Sequence, residues 1–438
     1  MTLSVTGVST PAKRLLATLL PIVLLSAPLP LLAQPATSSV GDEPVSNELP
    51  LEDIQTFAEV FERIKRAYVE EVDDRTLLRN AMRGMLSELD PHSAYLDEEE
   101  YQSLRESTQG EFGGIGIEVG TENGQLMVIT PIDDTPASRA GLQSRDIIVA
   151  IDGTPTDSIS LQEAVTLMRG EPNTEIRISV LRSGEDTPRE FTLTREIIRS
   201  ESVKHELLEP GYGYLRISQF QSRTPDQARE ALERMAQDQP LEGLILDLRN
   251  NPGGVLQAAV GITDLFLDEG LIVYTEGRLS DTEMSFSASP TTPASDVPLV
   301  VLINGGSASA AEIVAGALQD QRRGVIMGTD SFGKGSVQQI MPLGNGEGLK
   351  LTTALYYTPN GRSIQAQGIE PDVEVVRGRL EVAEGRREIR EADLEGHLSA
   401  QQAPRDRQEM AERLLDDYQL SEALNLLKAL NVVDRQRR

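Results

Sequence analysis

The sequence predicts a multidomain protein built around an α/β core. Apolar strands alternate with helices over residues 201–375, the pattern of a largely parallel sheet covered by helices. A glycine-rich stretch of short strands, residues 100–198, has its own organisation. Helical periodicity flanks both, and 438 residues are enough for several domains.

In chain order, residues 1–33 come first. They carry Lys13 and Arg14, then a long apolar run, and no acidic residue, which is the pattern of an export signal. Cleavage after Ala33 or Ala36 and retention as an inner-membrane anchor are both open, although Pro21, Pro28 and Pro30 argue against a good spanning helix. The predicted location is the periplasm. Residues 34–50, rich in Pro, Ser, Thr and acid, read as a linker. Residues 51–99 place Phe57, Phe61, Ile64 and Tyr68, then Leu78, Met82, Met85 and Leu89, at helical spacing, which predicts two amphipathic helices. A helix-ending Asp-Pro and a turn follow in LDPHSAYL (Leu89–Leu96), where His92 is read as packing.

Within 100–198, Gly113–Val119 precedes a strand, then a helix Leu161–Gly170 and two further strands. Within 201–375, strands YGYLRISQF, GLILDL, LIVYTE, LVVLI and VIMG are separated by helices, one from Pro225 to Met235 and one after Gly254. Residues 376–438 shift to Arg, Glu, Gln and Ala and form a linker and helical tail. There Leu414, Leu420, Leu424, Leu427 and Leu430 make a stripe suited to a core face or a partner helix.

The chemistry concentrates between Asn304 and Gln339. The strand Val297–Ile303 ends in two glycines and a small-residue helix, so Ser309 falls at a helix N-terminus, where unpaired N–H groups favour an anion. Lys334 lies in a glycine-flanked turn beside Phe332, where burial would lower its pKa. Serine with a neutral lysine is a nucleophile–base pair. The same serine, with Glu312, also fits a capping box that only satisfies helix donors. Asp247–Gly254, DLRNNPGG, ends a buried strand in two glycines whose N–H groups can face a substrate carbonyl. Gly253 or Gly254 would be one half of an oxyanion hole, and the Ala310 N–H the other.

Together these residues resemble the carboxyl-terminal processing peptidases, or tail-specific proteases, over nearly all of the chain after residue 33. The resemblance implies a crotonase/ClpP-like spiral protease core with an inserted PDZ domain. It makes Ser309 the nucleophile, Lys334 the base and Gln338 the residue that orients the lysine. GGIGI with the downstream AGL and IDG segments looks like a PDZ domain. That likeness implies that the N–H groups of Ile115, Gly116 and Ile117 hold a peptide's terminal carboxylate. Leu161, Ala164, Val165 and Met168 would line the groove. Arg169 would couple the PDZ domain to the active site. One departure is Ser144-Arg145-Asp146, where the family usually has Gly before the Asp, and a slightly changed turn is expected there. The N-terminal helices are expected to dimerise the protein, making a homo-oligomer.

Composition excludes other chemistry. The absence of cysteine removes thiol catalysis, disulfides and cysteine-ligated metals, and the three histidines form no HExxH pattern. No cofactor or metal is expected. A net charge of −28 repels nucleic acid. The expected function is an exported serine endopeptidase that captures apolar C-terminal tails of proteins, with an adaptor lipoprotein as a further partner implied by relatives. Two other functions stand beside it: a non-catalytic tail-binding chaperone or adaptor, and acyl-CoA chemistry on a crotonase-like core.

Overall fold

A computed structural model describes residues 50–122, 124–290, 294, 296–379 and 414–437. The predicted export segment, residues 1–33, and the linker up to residue 49 lie outside the described residues, as do residues 380–413. Among the described residues no helix is long and apolar enough to cross a membrane. The chain divides into two compact units at Asp73/Asp74, inside the predicted helical segment 51–99.

The first unit holds one described helix, Leu51–Ala67, with Glu52 and Asp53 in its first turn and Lys65 and Arg66 in its last, complementing the helix dipole. None of its residues is buried, and Phe57 and Ile64 of the predicted amphipathic stripe are exposed.

In the second unit a six-stranded sheet runs in the order Val203–Glu209, Tyr212–Ile217, Gly243–Asp247, Leu299–Ile303, Val325–Gly328, Val373–Glu374. The first pair is antiparallel and the rest are parallel. Both faces are covered, which explains why its central strands are continuously apolar rather than alternating. Leu244, Leu246, Val301 and Ile303 enter one core together with the helices Thr224–Met235, Leu256–Asp264 and Ala310–Asp320. Ile245, Val300 and Leu302 point the other way, onto Leu420, Leu424 and Leu427 of the helix Tyr418–Arg437. The C-terminal leucine stripe therefore packs on the chain's own sheet.

A second, antiparallel sheet joins Ala94–Leu96, Gly348–Tyr357, Leu271–Gly277 and Ser285–Ser287, with Ser336–Pro342 also paired to the long Gly348–Tyr357 strand. The residues after Lys334 thus enter a strand, held in register across from residues 348–355.

The glycine-rich stretch forms its own six-stranded antiparallel sheet around the core of Val128, Ile148, Ile151, Ile176 and Ile178. Its two ends meet: Glu111–Gly114 pairs with Glu196–Arg199. The domain is therefore an insertion closed at its neck. Arg145 takes φ 71°, the left-handed conformation that glycine ordinarily supplies, so the turn keeps that geometry with a side chain present. Behind it Asp146 is buried. Burial pushes its carboxyl up, but hydrogen bonds from Arg182 and from the Gln143 N–H, with the nearby arginine charges, outweigh that and hold it below the usual range.

Candidate active site

Ser309 is the residue before the helix Ala310–Asp320 and has φ 54° and ψ −114°, a conformation a non-glycine residue holds only when its surroundings impose it. The imposition is visible. The loop Asn304–Ala308 is zipped to the loop Leu248–Asn251. Ser307 Oγ donates to the Leu248 carbonyl at 2.8 Å, Ala308 N–H to the Asn251 carbonyl at 2.9 Å, and the Asn250 N–H to Asn304 Oδ1 at 2.9 Å.

Glu312 accepts from the Ser309 N–H at 2.7 Å, while its own N–H bonds the Ser309 backbone carbonyl. The fully buried carboxylate does more than cap. It also accepts from Lys334 N–H at 2.9 Å, Gly333 N–H at 2.6 Å and Ser331 Oγ at 2.6 Å. One side chain thereby fixes the serine turn against the lysine turn. Burial pushes its pKa up, and the four donors pull against that shift.

Ser309, Ala310, Gly254, Lys334 and Gln338 line one cleft of about 540 Å³, together with Phe220, Tyr356, Lys350 and Leu104. Lys334 has a lowered pKa, first through burial and then through the nearby Lys350 charge, with Asp90 and Glu312 opposing. The buried Tyr356 hydroxyl donates to the Lys334 carbonyl. Burial raises its pKa well above the ordinary value, and Ser309 is a hydrogen-bond partner acting the other way.

The two candidate glycines differ. The Gly253 N–H is already given to Asn251 Oδ1 at 2.8 Å. Neither Gly254 N–H nor Ala310 N–H has an acceptor among the described residues. A Cβ on Gly253 would come within 2.8 Å of the Ser309 Cβ, and one on Gly254 would sit 2.0 Å from the Phe220 carbonyl oxygen. Both positions demand glycine because the backbone passes so close to its neighbours.

Gln338 does not bond Lys334 among the described residues; its amide nitrogen donates to Ser336 Oγ at 2.9 Å and Thr352 Oγ1 at 3.2 Å. Asp90, His92 and Lys350 are gathered close enough to the lysine to perturb its charge or have theirs perturbed. Residue patterning marks His92 as packing and gives no signal for Asp90, Lys350, Thr352 or Tyr356. Pairing of the Gly348–Tyr357 strand with Ser336–Pro342 on one side and with Ala94–Leu96 on the other brings them there.

In the inserted domain, Gly116 has φ 76°, and its carbonyl accepts from Ile132 N–H. Ile115 is 2% exposed, and its carbonyl is held by Ala137 N–H. Ile117 opens the strand Ile117–Glu122. Of the four helix residues expected in the groove, Ala164 and Met168 are buried in the domain's core, because they lie on the inward face of an eight-residue helix. Leu161 and Val165 are the two it leaves at least partly accessible. Arg169 ends this helix, stacks 4.7 Å over the Phe112 ring and pairs with Glu106 at 3.4 Å. Neither partner lines the cleft, but Glu106 shares the helix Glu98–Gln109 with Leu104, Ser107 and Thr108, which do.

Comparison with known proteins gives concordant matches. Residues 211–375 match the model of peptidase family S41, residues 127–182 a PDZ domain, and residues 32–100 the activating protease CtpB N-terminal domain. A carboxy-terminal-processing protease of Bartonella bacilliformis is 44% identical over 421 residues, 93% of this chain and 94% of that protein. A carboxyl-terminal-processing protease of Synechocystis sp. is 43% identical over 311 residues, 69% of this chain and 72% of its own length. Among solved structures, a photosystem II D1 C-terminal processing protease is 32% identical, with TM-score 0.44, covering 75% of this chain and 94% of that one.

Proposed function

This chain belongs to peptidase family S41 and is a serine peptidase, and from that premise we propose that it is an exported endopeptidase that captures the C-terminal tails of proteins and cleaves them with Ser309 and Lys334. One observation carries the assignment of residues. Ser309, on a turn held at positive φ, shares a cleft with a half-buried lysine of lowered pKa and with two N–H groups that have no acceptor among the described residues.

The chemistry follows from those groups. Neutral Lys334 Nζ takes the Ser309 hydroxyl proton as Oγ bonds the scissile carbonyl carbon. The resulting oxyanion is held by the N–H groups of Ala310 and Gly254, Gly254 being preferred because Gly253 already has a partner; such a donor is worth about 3 kcal/mol of barrier. Collapse breaks the C–N bond, and Lys334 returns the proton to the leaving amine. Water, deprotonated by the same lysine, then hydrolyses the acyl-enzyme. Gln338 orients the lysine. Neither a cofactor nor a metal enters these steps.

The inserted domain, residues 100–198, delivers the substrate. The N–H groups of Ile115, Gly116 and Ile117 bind the tail's carboxylate, and Leu161 and Val165 favour apolar side chains. Arg169 connects that domain to the cleft through Glu106. Residues 1–33 direct the protein to the periplasm, and the helical segment 51–99 supports a homo-oligomer. An adaptor lipoprotein is the proposed further partner.

The test is incubation of the protein and its Ser309→Ala variant with an unfolded substrate bearing an apolar C-terminal tail, the fragments being followed by mass spectrometry. Cleavage by the parent alone, abolished when the tail is amidated, is expected. Tail binding without cleavage by either protein would instead identify a chaperone or adaptor.

A further inference from the structure

Asp90 occupies the turn after the helix Asp74–Ser87, and its carboxylate is an acceptor for four donors. Oδ1 receives the N–H groups of His92 at 2.8 Å and Ser93 at 3.0 Å, together with Thr352 Oγ1 at 3.1 Å. Oδ2 receives Ser93 Oγ at 2.6 Å. Burial works to raise the carboxyl's pKa, and these bonds together outweigh it and hold the group below its ordinary range. It is therefore ionised at neutral pH and can only accept.

Thr352 lies directly across the antiparallel pair from Gln338, and its own N–H is anchored on Ser93 Oγ at 3.1 Å. Its hydroxyl stands between Asp90 and the Gln338 amide, 3.2 Å from Nε2. A hydroxyl has one proton. Because the carboxylate side must receive it, Thr352 can only accept on the Gln338 side. The amide end facing Thr352 is therefore NH₂, and the carbonyl oxygen Oε1 is at the other end. The two ends of a glutamine amide are nearly the same size, so sterics alone would not choose between them. The chemistry of the neighbours does.

We propose that Asp90 and Thr352 are positioning residues that fix the polarity of the Gln338 amide, so that its carbonyl oxygen and not its NH₂ group is available to Lys334. This rests on the assignment of Gln338 as the residue that orients the lysine. Orientation by a carbonyl holds a lysine amine by one of its protons and leaves the lone pair free for the serine proton. A glutamine turned the other way would offer its own N–H to that lone pair and compete with Ser309. The Asp90 turn also faces the lysine: burial and then the Lys334 charge lower the His92 pKa.

The experiment is steady-state cleavage of a short fluorogenic peptide by the full protein and four variants: Thr352→Val, Thr352→Ser, Gln338→Ala and the double variant Thr352→Val/Gln338→Ala. Valine keeps the branched shape and removes the hydroxyl. Thr352→Val is expected to lower kcat about tenfold with little change in KM, the effect of one lost positioning hydrogen bond. Thr352→Ser, which retains the hydroxyl, is expected to stay within about twofold of the parent. On the Gln338→Ala background, Thr352→Val should cost nothing further, because its effect runs through the missing amide. Parental kcat in Thr352→Val while Gln338→Ala is slow overturns the proposal. So does an equal loss from Thr352→Val whether Gln338 is present or not, which marks a purely structural role. A parental kcat in Gln338→Ala refutes the role of Gln338 itself and takes the proposal with it.

Discussion

Replacing Glu312 by glutamine changes almost no volume, yet the structure gives it a definite cost. The two carboxylate oxygens divide the donors: Oε1 takes Ser331 Oγ and Gly333 N–H, and Oε2 takes Ser309 N–H and Lys334 N–H. A glutamine must face one pair with NH₂. Facing the Oε2 pair orphans two fixed backbone donors. Facing the Oε1 pair is cheaper, because the Ser331 hydroxyl can turn and accept, leaving only the Gly333 N–H without a partner. One buried, unsatisfied donor costs about 1–3 kcal/mol, so Glu312→Gln should destabilise by about 2 kcal/mol while the Ser309 N–H keeps its acceptor. Glu312→Ala orphans all four donors and opens a cavity, and it should cost about 4 kcal/mol or more. Urea unfolding followed by circular dichroism measures both, and peptide cleavage measures the turn. Glu312→Gln is expected to retain part of its activity, whereas Glu312→Ala, which frees the strained Ser309 turn from the lysine turn, should be nearly inactive. A Glu312→Gln protein within about 0.5 kcal/mol of the parent, the range of an ordinary surface substitution, would refute the idea that this carboxylate ties the two turns together.

Lys350→Met removes a cation that helps depress Lys334, so the pKa of Lys334 should move back toward its ordinary 10.5. Activity rises with pH as Lys334 deprotonates, and the rising limb of the pH profile of kcat/KM should shift alkaline; an unmoved limb would mean the Lys350 charge does not reach the base. The sign for stability is also fixed: a lysine with a depressed folded pKa binds fewer protons folded than unfolded. Stability should therefore rise with pH between the two values, and Lys334→Met should flatten that rise in unfolding measured across pH. Gly254→Ala should abolish activity and lower stability, since its Cβ would sit 2.0 Å from a carbonyl oxygen, whereas Gly305→Ala, 3.9 Å from its nearest neighbour, should be tolerated. Arg169→Ala should change cleavage of tailed proteins and leave short-peptide cleavage intact, because its contacts are with Glu106 and Phe112 and not with the cleft; equal rates on both substrates before and after substitution would remove it from the coupling route.

Much of the fold and of the site is legible in the residues themselves, for identifiable reasons. The alternation of apolar strands and small-residue helices defines the α/β core because the central strands Gly243–Asp247 and Leu299–Ile303 are buried on both faces and have little freedom to be polar. The serine turn, the lysine between glycines and the Pro-Gly-Gly loop stand out because backbone that must pass close to other backbone tolerates few residue types, and Gly253 and Gly254 carry that constraint in their φ of 101° and 141°.

Other features depend on which segments meet, and residue type along the chain does not record that. Periodicity puts Ala164 and Met168 in a peptide groove with Leu161 and Val165, since all four are apolar at helical spacing; only packing divides them between core and surface. The C-terminal leucines fit a partner helix as well as a core, and the apolar second face of the central sheet decides for the core. Glu312 reads as a cap because its nearest sequence neighbour is Ser309, while its three other donors come from residues 331–334. Asp90 and Thr352 are separated by most of the chain, and an antiparallel crossing of two strands sets them on either side of one hydroxyl proton. The sequence by itself determined the chemical groups and the backbone they require. The tertiary structure decided which hydrogen bonds those groups make, because a side chain's polarity is settled by the partners that folding brings to it.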